Sequence, residues 1–248
     1  MKVSNLNKYL GGIYMCNKKL TFEELAGMID HTQLKNNIKN EDFKKICNEA
    51  MEYEFKMVAI NPAITSLCKE YLRGSKVHVG AAIGFPLGQN TLECKVFETK
   101  DAIDKGADEI DYVINIIELK NGNLNYIERE MEEIVKVCRK NNIISKVIFE
   151  NCYLTDEEKI QVSKIALKVK PDFIKTSTGF GTSGATVEDV KLMKSVVGNE
   201  VKVKAAGGIR DLETALKMIE AGAERLGASS GVKIIEDYKR FLTMHIKI

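Results

Sequence analysis

Asp172-Phe173-Ile174-Lys175-Thr176-Ser177-Thr178-Gly179-Phe180 decides how the rest of the chain is read. A short apolar run delivers a lysine to a small-polar, glycine-containing loop, the pattern of a buried strand that ends at a site. The pattern recurs further on in Val201-Lys202-Val203-Lys204-Ala205-Ala206-Gly207-Gly208-Ile209-Arg210. A lone lysine closing a strand is ordinarily a solvated charge. Two of them on consecutive strands, each beside a loop rich in Gly, Ser or Thr, point to a shared site.

Outward from these two strands, strand-like and helix-like segments alternate from Leu20 onward. The expected strands are Met28–Thr32, Phe55–Ile60, Val77–Ile83, Glu109–Asn115, Ser145–Phe149, Asp172–Lys175, Val201–Ala205 and Glu224–Gly227. Helix signals fall between them. Thr21 and Thr155 open capping boxes, Asn40 is placed to cap Glu41–Tyr53, Pro62 stands at a first helical position, and Gly106 follows a helix begun at Thr91. Strands alternating with helices argue for a parallel sheet, and eight such units in about 230 residues match a closed (β/α)8 TIM barrel, an α/β fold. A doubly wound open sheet is the alternative, but no GxGxxG follows the first strand. No linker or low-complexity tract divides the chain, so a single domain over 21–248 with an N-terminal extension over 1–20 is expected.

Composition narrows the function. The chain has 248 residues, 44% of them hydrophobic, and a net charge of +2, which gives no reason to expect a nucleic-acid partner. No apolar run is long enough to span a membrane. The cysteines at 16, 47, 68, 94, 138 and 152 form no CxxC pair, which suits reduced thiols in a cytoplasmic protein. His31, His78 and His245 are scattered without metal-ligand spacing, so neither a metal nor another cofactor is expected. Residues 1–20 carry lysines and no acid, with a weak apolar patch over Tyr9–Cys16, and fit a capping helix or tail better than a signal peptide.

In a (β/α)8 barrel the active site lies at the C-terminal ends of the strands. The residues expected there are Asp30, Asn61, Gly84, Asn115, Glu150, Lys175, Lys204 and Gly227. Lys175 and Lys204 fall on adjacent strands. Mutual repulsion and burial both favour the neutral amine, which attacks carbonyls, so the pair suits Schiff-base chemistry; two solvent-facing lysines gripping a phosphate is the other reading of the same spacing. Asp111 lies within an apolar strand, where a carboxylate is costly unless paired; facing inward it would balance the lysines and could move protons. Asp108 and Glu109 read instead as outward caps. Asp30, next to the last strand in a closed barrel, could pair with Lys204 or cap a turn. Lys202 shares the parity of Lys204, and whether it reaches the bottom mouth stays open. Gly207-Gly208-Ile209-Arg210 and Gly227-Ala228-Ser229-Ser230-Gly231 follow strands seven and eight, where barrels build phosphate sites, and Thr178-Gly179 adds donors from strand six.

These stretches resemble the deoxyribose-phosphate aldolase family. The resemblance runs in order from about residue 25 to 235 through Ile29-Asp30-His31-Thr32, Ile83-Gly84-Phe85-Pro86-Leu87-Gly88, Gly106-Ala107-Asp108-Glu109-Ile110-Asp111, Ile174-Lys175-Thr176-Ser177-Thr178-Gly179-Phe180-Gly181, Val203–Arg210 and Arg225–Ser230. It implies a metal-free class I aldolase that reversibly cleaves 2-deoxy-D-ribose 5-phosphate to acetaldehyde and D-glyceraldehyde 3-phosphate, acting as a homodimer or homotetramer. It further implies Lys175 as the Schiff-base lysine, Lys204 as the group that lowers its pKa, Asp111 as acid/base through a water, and Asp30 as the support of Lys204. Thr178, Gly179, Gly207, Gly208, Arg210, Gly227, Ser229 and Ser230 would hold the phosphate. The chain departs from the family at Ala59, where many members carry cysteine, and at Asn151, where threonine is usual. It also ends His245-Ile246-Lys247-Ile248, where some members end in tyrosine. A phosphate-binding isomerase and a non-catalytic sugar-phosphate binder are the competing readings; the first needs no Schiff-base lysine, and the second should have lost one of Lys175, Lys204 and Asp111.

Overall fold

A computed structural model describes the backbone of residues 14–15 and 18–245. Eight parallel strands close into one barrel: β1 (Ile29–Thr32), β2 (Met57–Ile60), β3 (His78–Ile83), β4 (Glu109–Val113), β5 (Ile144–Ile148), β6 (Phe173–Lys175), β7 (Lys202–Ala206) and β8 (Arg225–Ala228). Each pairs with its chain neighbour, and β8 closes the ring on β1 through Leu226 opposite Ile29. The (β/α)8 expectation holds, and closure removes the exposed edges an open sheet would leave.

The helices on the outside are α1 (Phe22–Ala26), α2 (Asn40–Glu52), α3 (Thr65–Tyr71), α4 (Leu92–Asp104), α5 (Ile116–Lys120), α6 (Leu124–Lys140), α7 (Asp156–Val169), α8 (Val187–Val197), α9 (Leu212–Glu220) and α10 (Gly231–His245). Thr21 and Thr155 form the expected capping boxes, accepting from Glu24 N at 3.1 Å and Glu158 N at 3.3 Å. Asn40 does not cap α2. It is the first helical residue, and the Asp42 carboxylate reaches back to Lys39 N at 2.9 Å, because an acid in the first turn can satisfy the amide just ahead of it. Pro62–Ile64 forms a 3-10 turn before α3, and Asn115 ends the β4 segment by capping α5, a short helix the periodicity did not reveal.

The outward faces of the strands bury Val79, Ile110, Tyr112, Val147, Ile174 and Val203 against the helices. The inward faces are different: the lower and middle levels of the barrel are filled by charged side chains as well as by Met57, Phe173 and Ala82. Gly80 makes room for this filling, since a Cβ there would stand 2.2 Å from Met57 Sδ. The N-terminal extension lies mostly outside the described residues. Its described part is a two-residue antiparallel ladder, Tyr14–Met15 against Lys18–Lys19.

Candidate active site

β6 is short and ends at Lys175, whose Cα partner in β7 is Lys204. The two lysines therefore stand side by side, as the sequence spacing implies. β7 runs two residues further to Ala206, and Asp30 and Gly227 also lie within their strands and not at the ends. The stagger of the barrel sets the level of a side chain, and that level does not follow from where each strand stops.

Asp111, in the middle of β4, faces inward across the barrel. Its Oδ2 accepts from both lysines, Lys175 Nζ at 2.8 Å and Lys204 Nζ at 2.7 Å. Its Oδ1 accepts from Lys146 Nζ on β5 at 2.6 Å. Lys146 also meets Glu109 Oε2 at 2.5 Å. Glu109 takes the Arg225 guanidinium at 3.1 and 3.2 Å, and Arg225 Nε donates to Asp30 Oδ1 at 2.7 Å. Asp30 Oδ2 contacts Lys204 Nζ. The contacts close a ring of alternating sign: Asp111, Lys146, Glu109, Arg225, Asp30, Lys204 and back to Asp111.

The ring holds three carboxylates and three cations, and Lys175 is the seventh member, attached through Asp111 alone. A fourth buried cation has no carboxylate of its own. Burial pushes the Lys175 ammonium down to about 8, with Lys204 and Lys146 adding to the fall and Asp111 opposing it. Burial alone would raise the Asp111 carboxyl, but Lys146, Lys175 and Lys204 together hold it well below the usual range. Lys146 is likewise penalised by burial, yet Asp111, Glu109 and Asp30 keep it charged with a raised value. Lys204 is fully buried, whereas Lys175 keeps 4% exposure at the upper end of the cluster.

Glu109, Lys146 and Arg225 are charged neighbours of the candidate site residues that the sequence does not place there. Glu109 was expected to face outward beside Asp108; it points into the barrel because it shares the parity of Asp111 two residues on. Asp108 is the outward residue, accepting from Val79 N at 2.9 Å and pairing with Lys69. Lys146 is a charge inside an apolar strand, the signal that singled out Asp111. Lys202 is exposed, with its ammonium 5.5 Å from the Phe173 ring, and does not join the cluster.

The loops expected to bind phosphate converge in part. Gly179 and Gly207 both have positive φ, 89° and 84°, and a Cβ on Gly207 would come within 3.3 Å of Gly179 Cα. This close approach lets the β6 and β7 loops lie backbone to backbone. Gly208 follows, also at positive φ, and with Arg210 is exposed. Ser229 and Ser230 form the turn into α10. Gly227 stands lower, in the wall of β8, where a Cβ would meet Ala206 Cβ at 2.8 Å and Lys204 Cε at 3.4 Å; its hydrogen leaves space for the Lys204 stem. Thr178 already has partners, its N–H donating to Glu150 Oε1 at 3.1 Å and its hydroxyl to Glu150 Oε2. Next to Thr178 a cavity of about 510 Å³ opens, lined by Leu87, Ile117, Tyr153 and Phe180 among others. Among the described residues no cluster of His, Cys, Asp and Glu has the arrangement to hold a metal, and no helix is long and apolar enough to cross a membrane.

Fold and site together define a barrel enzyme with a buried amine, a shared carboxylate and glycine-lined loops at its C-terminal mouth. The chain matches the DeoC/LacD family aldolases over residues 25–237, and it belongs to that family of carbon–carbon lyases. It is 58% identical to the deoxyribose-phosphate aldolase of Lactobacillus acidophilus over 221 residues, 89% of this chain and 93% of the other. It is 55% identical to that of Bacteroides thetaiotaomicron over 239 residues, 96% and 98% of the two chains. Among solved structures, the tetrameric deoxyribose phosphate aldolase from Aeropyrum pernix superposes with a TM-score of 0.83 at 29% identity, over 97% of this chain and all of the other.

Proposed function

We propose that this chain reversibly cleaves 2-deoxy-D-ribose 5-phosphate to acetaldehyde and D-glyceraldehyde 3-phosphate through a Schiff base on Lys175. One observation carries the choice of lysine: Lys175 and Lys204 share Asp111 Oδ2, but only Lys175 is both outside the balanced ring and in reach of the mouth. An amine depressed to about 8 is present in useful amount near neutral pH, where an ordinary lysine is almost wholly protonated.

The neutral Lys175 Nζ adds to the C1 aldehyde of the open-chain sugar. Loss of water from the carbinolamine leaves an iminium, an electron sink two bonds from the bond that breaks. Removal of the 3-hydroxyl proton lets the C2–C3 electron pair flow to the iminium nitrogen, releasing glyceraldehyde 3-phosphate and leaving an enamine. Protonation at C2 and hydrolysis then free acetaldehyde and the lysine. Asp111 and Lys204, 2.7 Å apart, hold one exchangeable proton between them and serve both transfers through a water, while Asp30 anchors Lys204. The phosphate is assigned to Gly207-Gly208, Gly179, Arg210 and the Ser229-Ser230 turn at the start of α10, where backbone N–H groups and the helix dipole favour an anion. The Thr178 hydroxyl, engaged with Glu150, orients that loop and contributes less to the phosphate than the spacing implied.

Borohydride reduction in the presence of deoxyribose 5-phosphate, followed by peptide mapping, tests the reading. A reduced two-carbon or five-carbon adduct on Lys175 is expected. An adduct on Lys204 would reverse the lysines' roles, and no adduct on protein that binds the sugar phosphate would favour an isomerase-like use of the same mouth.

A further inference from the structure

The lower half of the charged ring lies away from the mouth, and nothing in the proposed chemistry calls on it. Glu109, Lys146 and Arg225 are all buried, and burying three charges below an active site is costly unless they do something that apolar residues would not. Their connections run to the reacting groups. Lys146 occupies the oxygen of Asp111 that the catalytic lysines leave, at 2.6 Å, and Glu109 neutralises Lys146 from below at 2.5 Å. Arg225 carries the same chain of contacts up the other side through Asp30 to Lys204.

We propose that Glu109 and Lys146 are positioning residues that set the protonation state of Lys175, by keeping the ring neutral so that the Lys175 charge is the one in surplus. The inference rests on Lys175 being the Schiff-base lysine. Glu109 removes the excess positive potential that Lys146 would otherwise impose on Lys175, and Lys146 stops Asp111 from giving its whole charge to Lys175. The two members of this one ion pair therefore act on Lys175 in opposite directions. The other charged or titratable groups facing the cluster are Asp30 on β1, Lys204 on β7, Arg225 on β8 and His78 on β3, whose Nδ1 lies 2.7 Å from Glu109 Oε1 and whose Nε2 lies 3.5 Å from Lys56 Nζ. Glu150 stands at the end of β5, bound to Thr178. None of these is substituted in the variants below.

The test is the acid limb of kcat/KM against pH in Glu109→Gln, Lys146→Met and the double variant. Loss of the Glu109 charge is expected to make the Lys175 amine easier to form and move the limb down by about one pH unit, and loss of the Lys146 charge to move it up by about as much. The double variant, neutral again, is expected to return to the wild-type limb. A merely structural pair would lower activity and thermal stability in the single variants with the limb unmoved; that result, two shifts of the same sign, or a double variant displaced from wild type would each overturn the proposal. If one single variant does not fold, the other and the double give the same sign test; if neither folds, Lys146→Gln, which keeps a hydrogen-bond donor to Asp111 without the charge, must still move the limb up. Borohydride trapping run alongside separates the two claims: an adduct on Lys175 with unmoved limbs rejects the positioning role alone, and a wild-type protein without that adduct rejects the underlying reading.

Discussion

Among the described residues, two buried lysines have an ammonium that burial pushes below its ordinary value: Lys95 on α4, outside the barrel, and Lys175 at the end of β6. Their surroundings differ in ownership. Lys95 has a carboxylate to itself, Glu130 at 2.5 Å, and a second acceptor in the Val113 carbonyl at 2.7 Å; the other Glu130 oxygen takes the Asn115 amide at 3.0 Å. Every group there has a fixed partner, and the pair pins the end of β4 to α6. Lys175 shares one oxygen of one carboxylate with a second lysine, and that carboxylate also serves a third. The contrast shows that burial alone does not mark a lysine for chemistry. A private partner makes it structural, and competition for a partner makes its proton removable.

The largest effect that would break this contrast is at Lys175. Lys175→Ala should lower turnover by roughly 10⁴-fold or more, the loss typical of removing a nucleophile. It should leave the fold intact, because Asp111 keeps Lys146 and Lys204 as partners and the ring stays balanced. Turnover together with a thermal melt decides it; retained cleavage would show that Lys175 is not the nucleophile. Lys95→Met should do the reverse. It strands Glu130 as an uncompensated buried charge, costing about 3–5 kcal/mol of stability with kcat per folded molecule unchanged. Urea unfolding and active-site titration give the two numbers, and a fall in kcat at full occupancy would mean that Lys95 is coupled to the mouth.

The same contrast explains what could be read in the sequence. Lys175, Lys204, Asp111 and Asp30 were visible because each interrupts an apolar strand near a glycine-rich or polar loop. Lys95 and Glu130 were not, since single charges on amphipathic helices look solvated until the helices are packed. Glu109 was misplaced because it adjoins Asp108, which does face outward, and the strand's parity is settled only once its register with β3 and β5 is known. Lys146 and Arg225 needed the barrel's stagger to bring them level with Glu109, and no spacing along the chain encodes that. The hold of Glu150 on Thr178 depends on a left-handed backbone at Glu150, φ 57°, which a glutamate does not advertise.

Activity against pH sharpens the contrast further. If the amine of Lys175 is the attacking form, kcat/KM should fall about tenfold for each pH unit below about 8 and level off above it. Lys95→Met should show the same limb, since Lys95 holds no part of the reacting group. A limb that moved with Lys95 would contradict the separation of the two sites.

The smallest expected effect is on stability, and it isolates the Lys175 proton without any substrate. The folded value of about 8 lies below the value near 10.4 of an unfolded lysine, so between those limits the unfolded chain binds a proton that the folded chain does not. Stability contributed by this group is then fully present above about 10.4 and is lost as pH falls through about 8. Wild type should therefore gain stability relative to Lys175→Met as pH rises through that window, by at most about 1.4 kcal/mol per pH unit, while below about pH 8 the difference between them stays constant. Lys95 and the tyrosines titrate alike in both proteins and cancel in the difference. Paired urea unfolding curves across the window measure it. A flat difference would mean that Lys175 keeps its proton as an unfolded lysine does, and the contrast with Lys95 would then have to rest on access to the mouth alone.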